Sequence, residues 1–380
     1  MAGIGVVFGL ALIMLVLWDA FETVVLPRRV TRKYRLTRLF YRTTWHLWSG
    51  TVRRLFKGKR QQNYLSYFGP LSLILLLSIW AIGLILGFAL LNWASGSPLH
   101  TPEGTARFST YVYLSGTTFF TLGLGDVAPL STFGRIMTVV ESGLGLGLLA
   151  LVISYLPALN ASFGRRETSI SLLDARAGSP PTAAEMLLRR CHDQGTEVLL
   201  RHLSEWERWA AEVLEGHLSY PVLAYFRSQH DNQSWIAALT VILDTSAFVL
   251  TAMEGSCRRQ AQLTFAIARH AVVDLSLVFG IAPHRTKHER LPSEDFERLF
   301  TWLSEAGLPL RREKEVEEQL TELRRMYEPY VRALSTYLRL SVPPWISEVD
   351  RLDNWQASAW EKGAVFEDAH PHDSTGDEHF

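Results

Sequence analysis

Three apolar stretches constrain the fold of this chain more than any other feature. They run from Gly3 to Leu26, from Tyr67 to Asn92 and from Thr132 to Asn160. A helix needs about 20 apolar residues to cross the hydrocarbon core of a bilayer, so each stretch is long enough. Because lipid leaves backbone polar groups no outside partner, such stretches are expected to be helical. The sequence therefore predicts a membrane protein with three transmembrane helices.

The segment between the first two stretches predicts the orientation of the chain. From Pro27 to Asn63 it carries twelve Lys or Arg residues and no Asp or Glu. Short, strongly basic loops stay on the cytoplasmic side, so we expect a multi-pass protein of the inner membrane with its N-terminus outside. Asp19 and Glu22 lie near the inner end of the first stretch. Charge deep in a bilayer is costly, so we favour solvated carboxylates at the interface over carboxylates paired with basic groups at the membrane surface or with a neighbouring helix.

The same basic segment has aromatic residues interleaved with its charges, including Tyr41 and Trp45. This pattern predicts an amphipathic helix that lies on anionic lipid headgroups. Nucleic-acid binders also mix basic and aromatic residues, but a position between two membrane spans argues against that partner. The segment is expected either to sense lipid or to fix the topology, and we favour the second.

A polar segment precedes the third stretch. Phe108 to Phe120 is too short and too polar to span, so we expect a helix that enters the membrane only part way. The residues that follow are Thr121-Leu122-Gly123-Leu124-Gly125-Asp126. Consecutive carbonyls face the same way only if alternate residues adopt backbone dihedrals that side chains disfavour, and glycine adopts them readily. The alternative is a Gly-rich turn between two buried helices.

Thr-x-Gly-x-Gly-Asp between two such elements resembles the selectivity filter of tetrameric potassium channels. The likeness extends to two-pore-domain channels, where Leu is frequent at the position of Leu124. The resemblance implies a homotetramer in which backbone carbonyls replace the water around K+. The implied ion-binding residues are Thr121 (also through its hydroxyl), Leu122, Gly123, Leu124 and Gly125.

The resemblance also implies residues that support the filter. Tyr113 is expected to hydrogen-bond Asp126 behind it. Many potassium channels have Glu where this chain has Thr117. The resemblance therefore does not determine the stability of the filter or its inactivation. We further expect Glu141, inside the third stretch, to bond a hydroxyl of the short helix, Ser115 or Thr118, as a structural brace.

Two residues of the third stretch are candidates for gating. Gly145 aligns with the hinge glycine of similar channels, although small residues in this stretch also permit close helix packing. Pro157 removes a hydrogen bond and is expected to bend or end the helix, which places the inner constriction at 151–156. No regular Arg repeat occurs in the membrane segments, so a voltage sensor is not expected.

Beyond the third stretch the pattern is helical, and we predict an all-α cytosolic bundle. A Rossmann-type regulatory domain would need GxGxxG after a strand, and a cyclic-nucleotide domain would need a β-roll; the sequence predicts neither. The predicted domains are an N-terminal helix at 1–26, a basic loop at 27–66, the pore at 67–160, a linker at 161–181, the bundle at 182–342 and an acidic tail at 343–380.

Polar and aromatic residues cluster in one part of the predicted bundle. A pocket for an unidentified anion or nucleotide is one interpretation, and a network of caps and loops is the one we favour. The candidate pocket residues are Tyr225, Arg227, His230, Arg269 and His270. The apolar helix from Trp235 to Met253 is expected to be a bundle core helix, with Asp244 paired to Arg269 or His270.

The combined prediction is an all-α, homotetrameric, potassium-selective channel with a helical cytosolic domain. Residues that would act as a nucleophile with its base do not stand out, so enzymatic activity is not expected. One alternative keeps the fold and relaxes selectivity to monovalent cations in general. Another alternative is a membrane sensor with a vestigial pore whose helical domain binds a ligand.

Overall fold

The computed structural model describes residues 2–26, 35–102, 104–191, 196–228, 233–284, 289–311 and 315–347. These residues form two compact units, and the boundary between the units falls between Ala161 and Ser162. The predicted His230 and nearly all of the predicted acidic tail lie outside the described residues. The fold class agrees with the prediction, because the described residues are predominantly helical, have only two short strands and include several long apolar helices.

The first unit contains the three predicted spans. Its helices are α1 (Ala2–Ala20, extended by a π-helical turn Phe21–Val25), α2 (Leu36–Leu55), α3 (Gly58–Ser66), α4 (Phe68–Ala94), α5 (Phe108–Phe119) and the first part of α6 (Thr132–Ala177). Strands β1 (Leu99–His100) and β2 (Ala128–Pro129) pair antiparallel before α5 and after the Gly-rich segment. Helices α1, α4 and α6 are long and apolar enough to cross a membrane, and these features support a multi-pass membrane protein.

Helices α1 and α4 pack antiparallel through glycines. A Cβ atom on Gly9 would lie 3.0 Å from the carbonyl oxygen of Gly87, and one on Gly5 would lie 2.6 Å from the Cβ of Ala94. Small residues allow two backbones to approach this closely, which is a common way for membrane helices to associate. The first helix is therefore an integral part of the first unit.

Two acidic residues of α1 are buried, and the prediction of solvated carboxylates is wrong. Asp19 is 4% exposed and accepts hydrogen bonds from the Thr37 hydroxyl (2.5 Å), the Thr37 backbone N–H (3.1 Å) and the Trp80 indole (3.0 Å). Glu22 accepts a hydrogen bond from Trp18 and pairs with Arg35 Nε at 3.3 Å. A buried carboxylate is tolerated when hydrogen bonds and an opposite charge replace its water.

Helix α2 packs its aromatic face against the protein. The rings of Trp45 and Phe68 lie 4.9 Å apart, and Phe40 and Tyr41 are also buried. The sequence predicts these aromatic rings at lipid headgroups, whereas they lie inside the unit because α4 offers them an apolar surface. The predicted amphipathic helix exists, but its buried face contacts protein.

The third span continues further than predicted. Helix α6 does not end at Pro157 but runs to Ala177, so most of the segment predicted as a linker (161–181) is helical. Beyond Ala161, Ile170, Leu173 and Ala177 are buried and belong to the second unit. Burial of these apolar residues favours the helical conformation in a segment whose Gly and Pro residues suggest a linker.

The second unit is a helical bundle around α9. Its helices after α6 are α7 (Ala183–Cys191), α8 (Thr196–Ser219), α9 (Trp235–Ala252), α10 (Ser256–Phe279), α11 (Ser293–Glu305), α12 (Val316–Arg325) and α13 (Glu328–Leu338), with a 3-10 turn at Pro221–Tyr225. Helix α9 contacts α7, α8, α10, α12 and α13. Although α9 is long and apolar enough to cross a membrane, 94% of its 18-residue apolar window is buried inside the protein, as expected for a core helix.

Candidate functional site

The end of α5 is joined to the Gly-rich segment by a tight turn. The backbone N–H of Thr121 donates to the Thr118 carbonyl (3.0 Å), and that of Leu122 donates to the Thr117 carbonyl (2.8 Å). The Thr117 hydroxyl donates to the Leu114 carbonyl (3.0 Å). These bonds satisfy backbone groups at the helix end and fix where the segment 121–126 begins.

Left-handed residues alternate along this segment. The φ angle is 55° at Thr121, 55° at Gly123 and 78° at Gly125, with Leu122 and Leu124 between them. Alternation between right- and left-handed residues aligns successive peptide groups, so that N–H groups face one side and carbonyl oxygens the other. This alternation is the one expected for a row of carbonyl ligands. Of the three left-handed residues, only the two glycines could be predicted from the sequence.

Thr121 is the residue whose conformation the sequence does not reveal. A positive φ is uncommon for a residue other than glycine and is an outlier for a β-branched one. Residues in such conformations persist only where the surrounding structure holds them, and they cluster at functional sites. Leu122 and Leu124 expose 62% and 64% of their surface, so the segment lies on an open face of the single chain.

The expected hydrogen bonds behind the segment are present. Tyr113 Oη donates to Asp126 Oδ2 at 2.8 Å. Ser115 Oγ contacts the Glu141 carboxyl group and lies 2.7 Å from the Ile85 carbonyl oxygen, so it joins α5 to both α4 and α6. Glu141 and Ser115 are almost fully buried. Of the two predicted hydroxyl partners, Ser115 is the one that Glu141 contacts.

Gly145 lies against the end of α5. A Cβ atom on Gly145 would lie 2.3 Å from the Phe119 carbonyl oxygen, whereas one on Gly143 or Gly147 would meet no atom within 4 Å. The contact with Phe119 therefore supports the interpretation that Gly145 permits close helix packing. Phe119 lies two residues before the segment 121–126. Its role as a hinge, and that of Pro157 in gating, stay predictions.

Most of α6 in the first unit presents apolar side chains to its surroundings. Few of the residues in its most apolar part are buried inside the chain. Its exposed large side chains are Phe133, Ile136, Val139, Val140, Leu146, Leu149, Ile153 and Leu156. Such a surface needs either lipid or other protein against it. The predicted constriction at 151–156 lies within this exposed region.

The side chains proposed for a cytosolic pocket bond to the bundle itself. Tyr225 Oη lies 3.0 Å from Tyr337 Oη, and Arg227 donates to the Leu338 and Arg339 carbonyls. Arg269 donates to the Met326 carbonyl, and His270 Nε2 lies 3.0 Å from Asp274. These contacts agree with the favoured network of loops and caps. A ligand pocket made by these residues stays a prediction.

The charge partner of Asp244 differs from the prediction. Asp244 is fully buried and forms a two-pronged ion pair with Arg290 (2.6 and 3.1 Å), and Tyr327 Oη donates to it at 2.5 Å. Arg269 and His270 lie on α10 and bond elsewhere. Arg290 precedes α11 by only three residues, and sequence spacing gave no sign that it reaches the centre of α9.

A second buried cluster was missed because its members are far apart in the sequence. Arg166 donates to the Leu223 and Phe226 carbonyls (2.9 and 2.8 Å), pairs with Glu167 (2.8 Å) and lies 3.3 Å from His217 Nε2. His217 Nδ1 lies 2.7 Å from the Val213 carbonyl and must donate to it, so Nε2 accepts from Arg166. Burial, reinforced by the nearby Arg166 charge, lowers the pKa of His217 to about 3. His217 is therefore neutral.

Comparison with known proteins agrees with a pore in the first unit. Residues 74–160 match the model of a family described as "Ion channel". A curated protein of Bacillus subtilis (strain 168), described as the uncharacterized membrane protein YdjJ, is 28% identical over 211 residues. That match covers 50% of this chain and 56% of the relative, so the chain spans little more than half of that protein's length. No solved structure matches.

The matched range contains α5, the segment 121–126 and the first part of α6. Together with the long apolar helices, the match supports an ion channel, that is, a multi-pass membrane protein whose role is transport.

Proposed function

We propose that this protein is a homotetrameric, potassium-selective channel of the inner membrane. The observation that carries the proposal is the alternation of left-handed residues at Thr121, Gly123 and Gly125 directly after a short helix. The carbonyls of Thr121, Leu122, Gly123 and Leu124 would coordinate K+, with the Thr121 hydroxyl at the inner end. In this proposal the ion moves passively, down its electrochemical gradient.

Peptide oxygens are suited to this task. A dehydrated K+ ion needs a set of oxygen ligands in place of its water shell, and rings of backbone carbonyls supply them. One chain contributes one strand, so four chains around an axis complete the rings. The Tyr113–Asp126 hydrogen bond and the Glu141–Ser115 contact hold the strand from behind. A tetramer also accounts for the apolar surface of α6, because neighbouring chains would cover part of it.

The proposed orientation follows from charge. The segment 27–63 contains twelve basic residues and no acidic residue, so the end of α1 and the start of α4 are assigned to the cytoplasmic side. The N-terminus is then outside and the second unit is cytoplasmic. The inner helices, at Gly145 and Pro157, or the filter itself would gate the pore, and the second unit would regulate it.

The test is cation flux through the purified protein in liposomes. Flux of K+ and of Na+ is measured for the natural protein and for Gly123→Ala and Gly104→Ala. Both glycines have positive φ (55° and 73°), and a Cβ atom on either meets nothing within 4 Å. The two substitutions therefore cost a similar backbone strain, about 1 kcal/mol, but only Gly123 lies in the proposed filter.

The proposal expects K+ flux well above Na+ flux, lost in Gly123→Ala and kept in Gly104→Ala. Equal K+ and Na+ flux would overturn selectivity and favour the general cation channel. Absence of flux from folded protein under every condition would overturn the channel and favour a membrane sensor with a vestigial pore.

A further inference from the structure

Helix α2 is held in a defined place beside α4. Its first turn is bound by Asp19, which accepts from the Thr37 N–H and hydroxyl and from Trp80 of α4. Further along, Trp45 packs on Phe68, the first residue of α4. Helix α2 therefore runs along the first half of α4, a distance of about 18 Å at 1.5 Å per residue. In the orientation proposed from charge, this half of α4 would lie at the cytoplasmic membrane boundary.

The outward face of α2 is basic. Arg38, Arg42, His46 and Arg53 follow at intervals of four, four and seven residues, so they form one stripe along the helix. Arg42, His46 and Arg53 are exposed and Arg38 is half-buried. We refer to these four residues as the basic stripe. Because 27–63 contains no Asp or Glu, the helix has no acidic residue of its own to neutralise the stripe.

Leucines flank the basic stripe on the same open side. Leu39 is 60% exposed and Leu47 is 69% exposed. Single exposed leucines also occur on water-facing surfaces, but a mixture of leucine and arginine on one helix face suits the boundary between acyl chains and headgroups. There the apolar side chains enter the hydrocarbon edge while the guanidinium groups stay at the phosphates.

We propose that the basic stripe and its flanking leucines, Leu39 and Leu47, bind anionic phospholipids of the adjacent leaflet. Guanidinium groups form paired, charge-assisted hydrogen bonds with phosphate oxygens. A negative surface potential attracts such a stripe, whereas a zwitterionic bilayer carries no net charge to do so. The attachment of α2 to α1 and α4 fixes the stripe in advance, so binding requires little ordering of the helix. This inference goes beyond the channel function and does not depend on it.

The test measures lipid binding by the full-length protein in detergent, without any measurement of flux. Phosphatidylglycerol or phosphatidylcholine is added, and the thermal unfolding midpoint is followed as a function of lipid concentration, since a ligand of the folded state raises it. The test variant is Arg38→Gln/Arg42→Gln/Arg53→Gln. The matched control, Arg201→Gln/Arg208→Gln/Arg258→Gln, removes three exposed charges from the second unit.

Phosphatidylglycerol should stabilise the natural protein and the control, and phosphatidylcholine should do so much less. Each basic residue near an anionic surface strengthens association about fivefold, so the test variant should bind phosphatidylglycerol roughly 100-fold more weakly. Equal binding by test and control variants, or equal stabilisation by the two lipids, would overturn the proposal.

A further arm separates a lipid surface from a soluble phosphate. Leu47→Ser should weaken phosphatidylglycerol binding, and soluble glycerol 3-phosphate should leave the unfolding midpoint unchanged. If glycerol 3-phosphate stabilises the protein as well as the lipid does and Leu47→Ser has no effect, the stripe binds a small anion and the lipid proposal is wrong.

Discussion

Substitution of Gly145 by alanine tests how closely α6 and the end of α5 are coupled. The added methyl group would lie 2.3 Å from the Phe119 carbonyl oxygen, 3.1 Å from the Phe119 carbonyl carbon and 3.3 Å from its Cα. Ordinary contacts between non-bonded heavy atoms are about 3.5 Å, so the first distance is too short by roughly 1 Å. The obstacle is backbone, which cannot rotate away as a side chain can. One of the two helices must therefore shift.

Overpacking of this kind costs about 1–3 kcal/mol. Phe119 is the last residue of α5, and the left-handed Thr121 follows two residues later, so the strain falls where the proposed filter begins. Gly145→Ala should therefore lower both the thermal unfolding midpoint and the K+ flux in liposomes. If the segment 121–126 is a potassium filter as proposed, its distortion should also reduce the preference for K+ over Na+.

Gly147→Ala is the matched control. It makes the same substitution two residues later in the same helix, at a site where a Cβ atom meets nothing within 4 Å of the chain. Alanine in a helix interior is favoured over glycine by about 0.5–1 kcal/mol, so this variant should be as stable as the natural protein or more so. If the two variants match in unfolding midpoint and flux, the contact with Phe119 does not limit the pore and the reasoning is wrong.

Two further predictions concern the second unit and are measured by unfolding of the purified protein. Arg290→Met leaves Asp244 buried without its cation and should lower the free energy of unfolding by about 3–5 kcal/mol. The double variant with Asp244→Leu should recover most of that loss. Unchanged stability in the single variant would contradict the buried pair. The pKa of His217 is lowered to about 3, so the unfolded state binds the extra proton below about pH 6.5. Stability should then fall as pH drops from about 6.5 toward 3, by up to about 1.4 kcal/mol per unit, and His217→Gln should flatten this dependence; an equal slope in that variant would refute the assignment.

The sequence alone is sufficient for features that depend on local pattern. Apolar length predicts α1, α4 and α6, and glycine spacing predicts the segment around Gly123, because each of these signals lies within one short stretch. The hydrogen bond between Tyr113 and Asp126 was also predictable, but only through resemblance to known filters. The identification of the segment as a potassium filter rests on the same resemblance and stays a proposal.

Three other features, which depend on long-range packing, were not predicted. Asp19 was expected in solvent because a lone carboxylate in an apolar stretch gives no sign of the helix that will cover it. The ion-pair partner of Asp244 was expected on the next helix, whereas the actual partner, Arg290, lies 46 residues further along the chain. The left-handed Thr121 was missed since propensity argues against it. In each case tertiary contacts outweigh the local preference.

The burial of Asp19 has a consequence for shortened forms of this protein. A version that begins at the second span would contain every element of a minimal two-helix pore, yet the Trp80 indole would lose its acceptor in the middle of α4. Such a truncation would also expose Gly83 and Gly87. The absence of side chains at these two positions makes room for the first helix, and the structure describes no other neighbour close to them. The N-terminal helix is thus a structural part of the first unit and not a removable extension. A truncated protein that lacks it should fail to assemble before conduction can be measured.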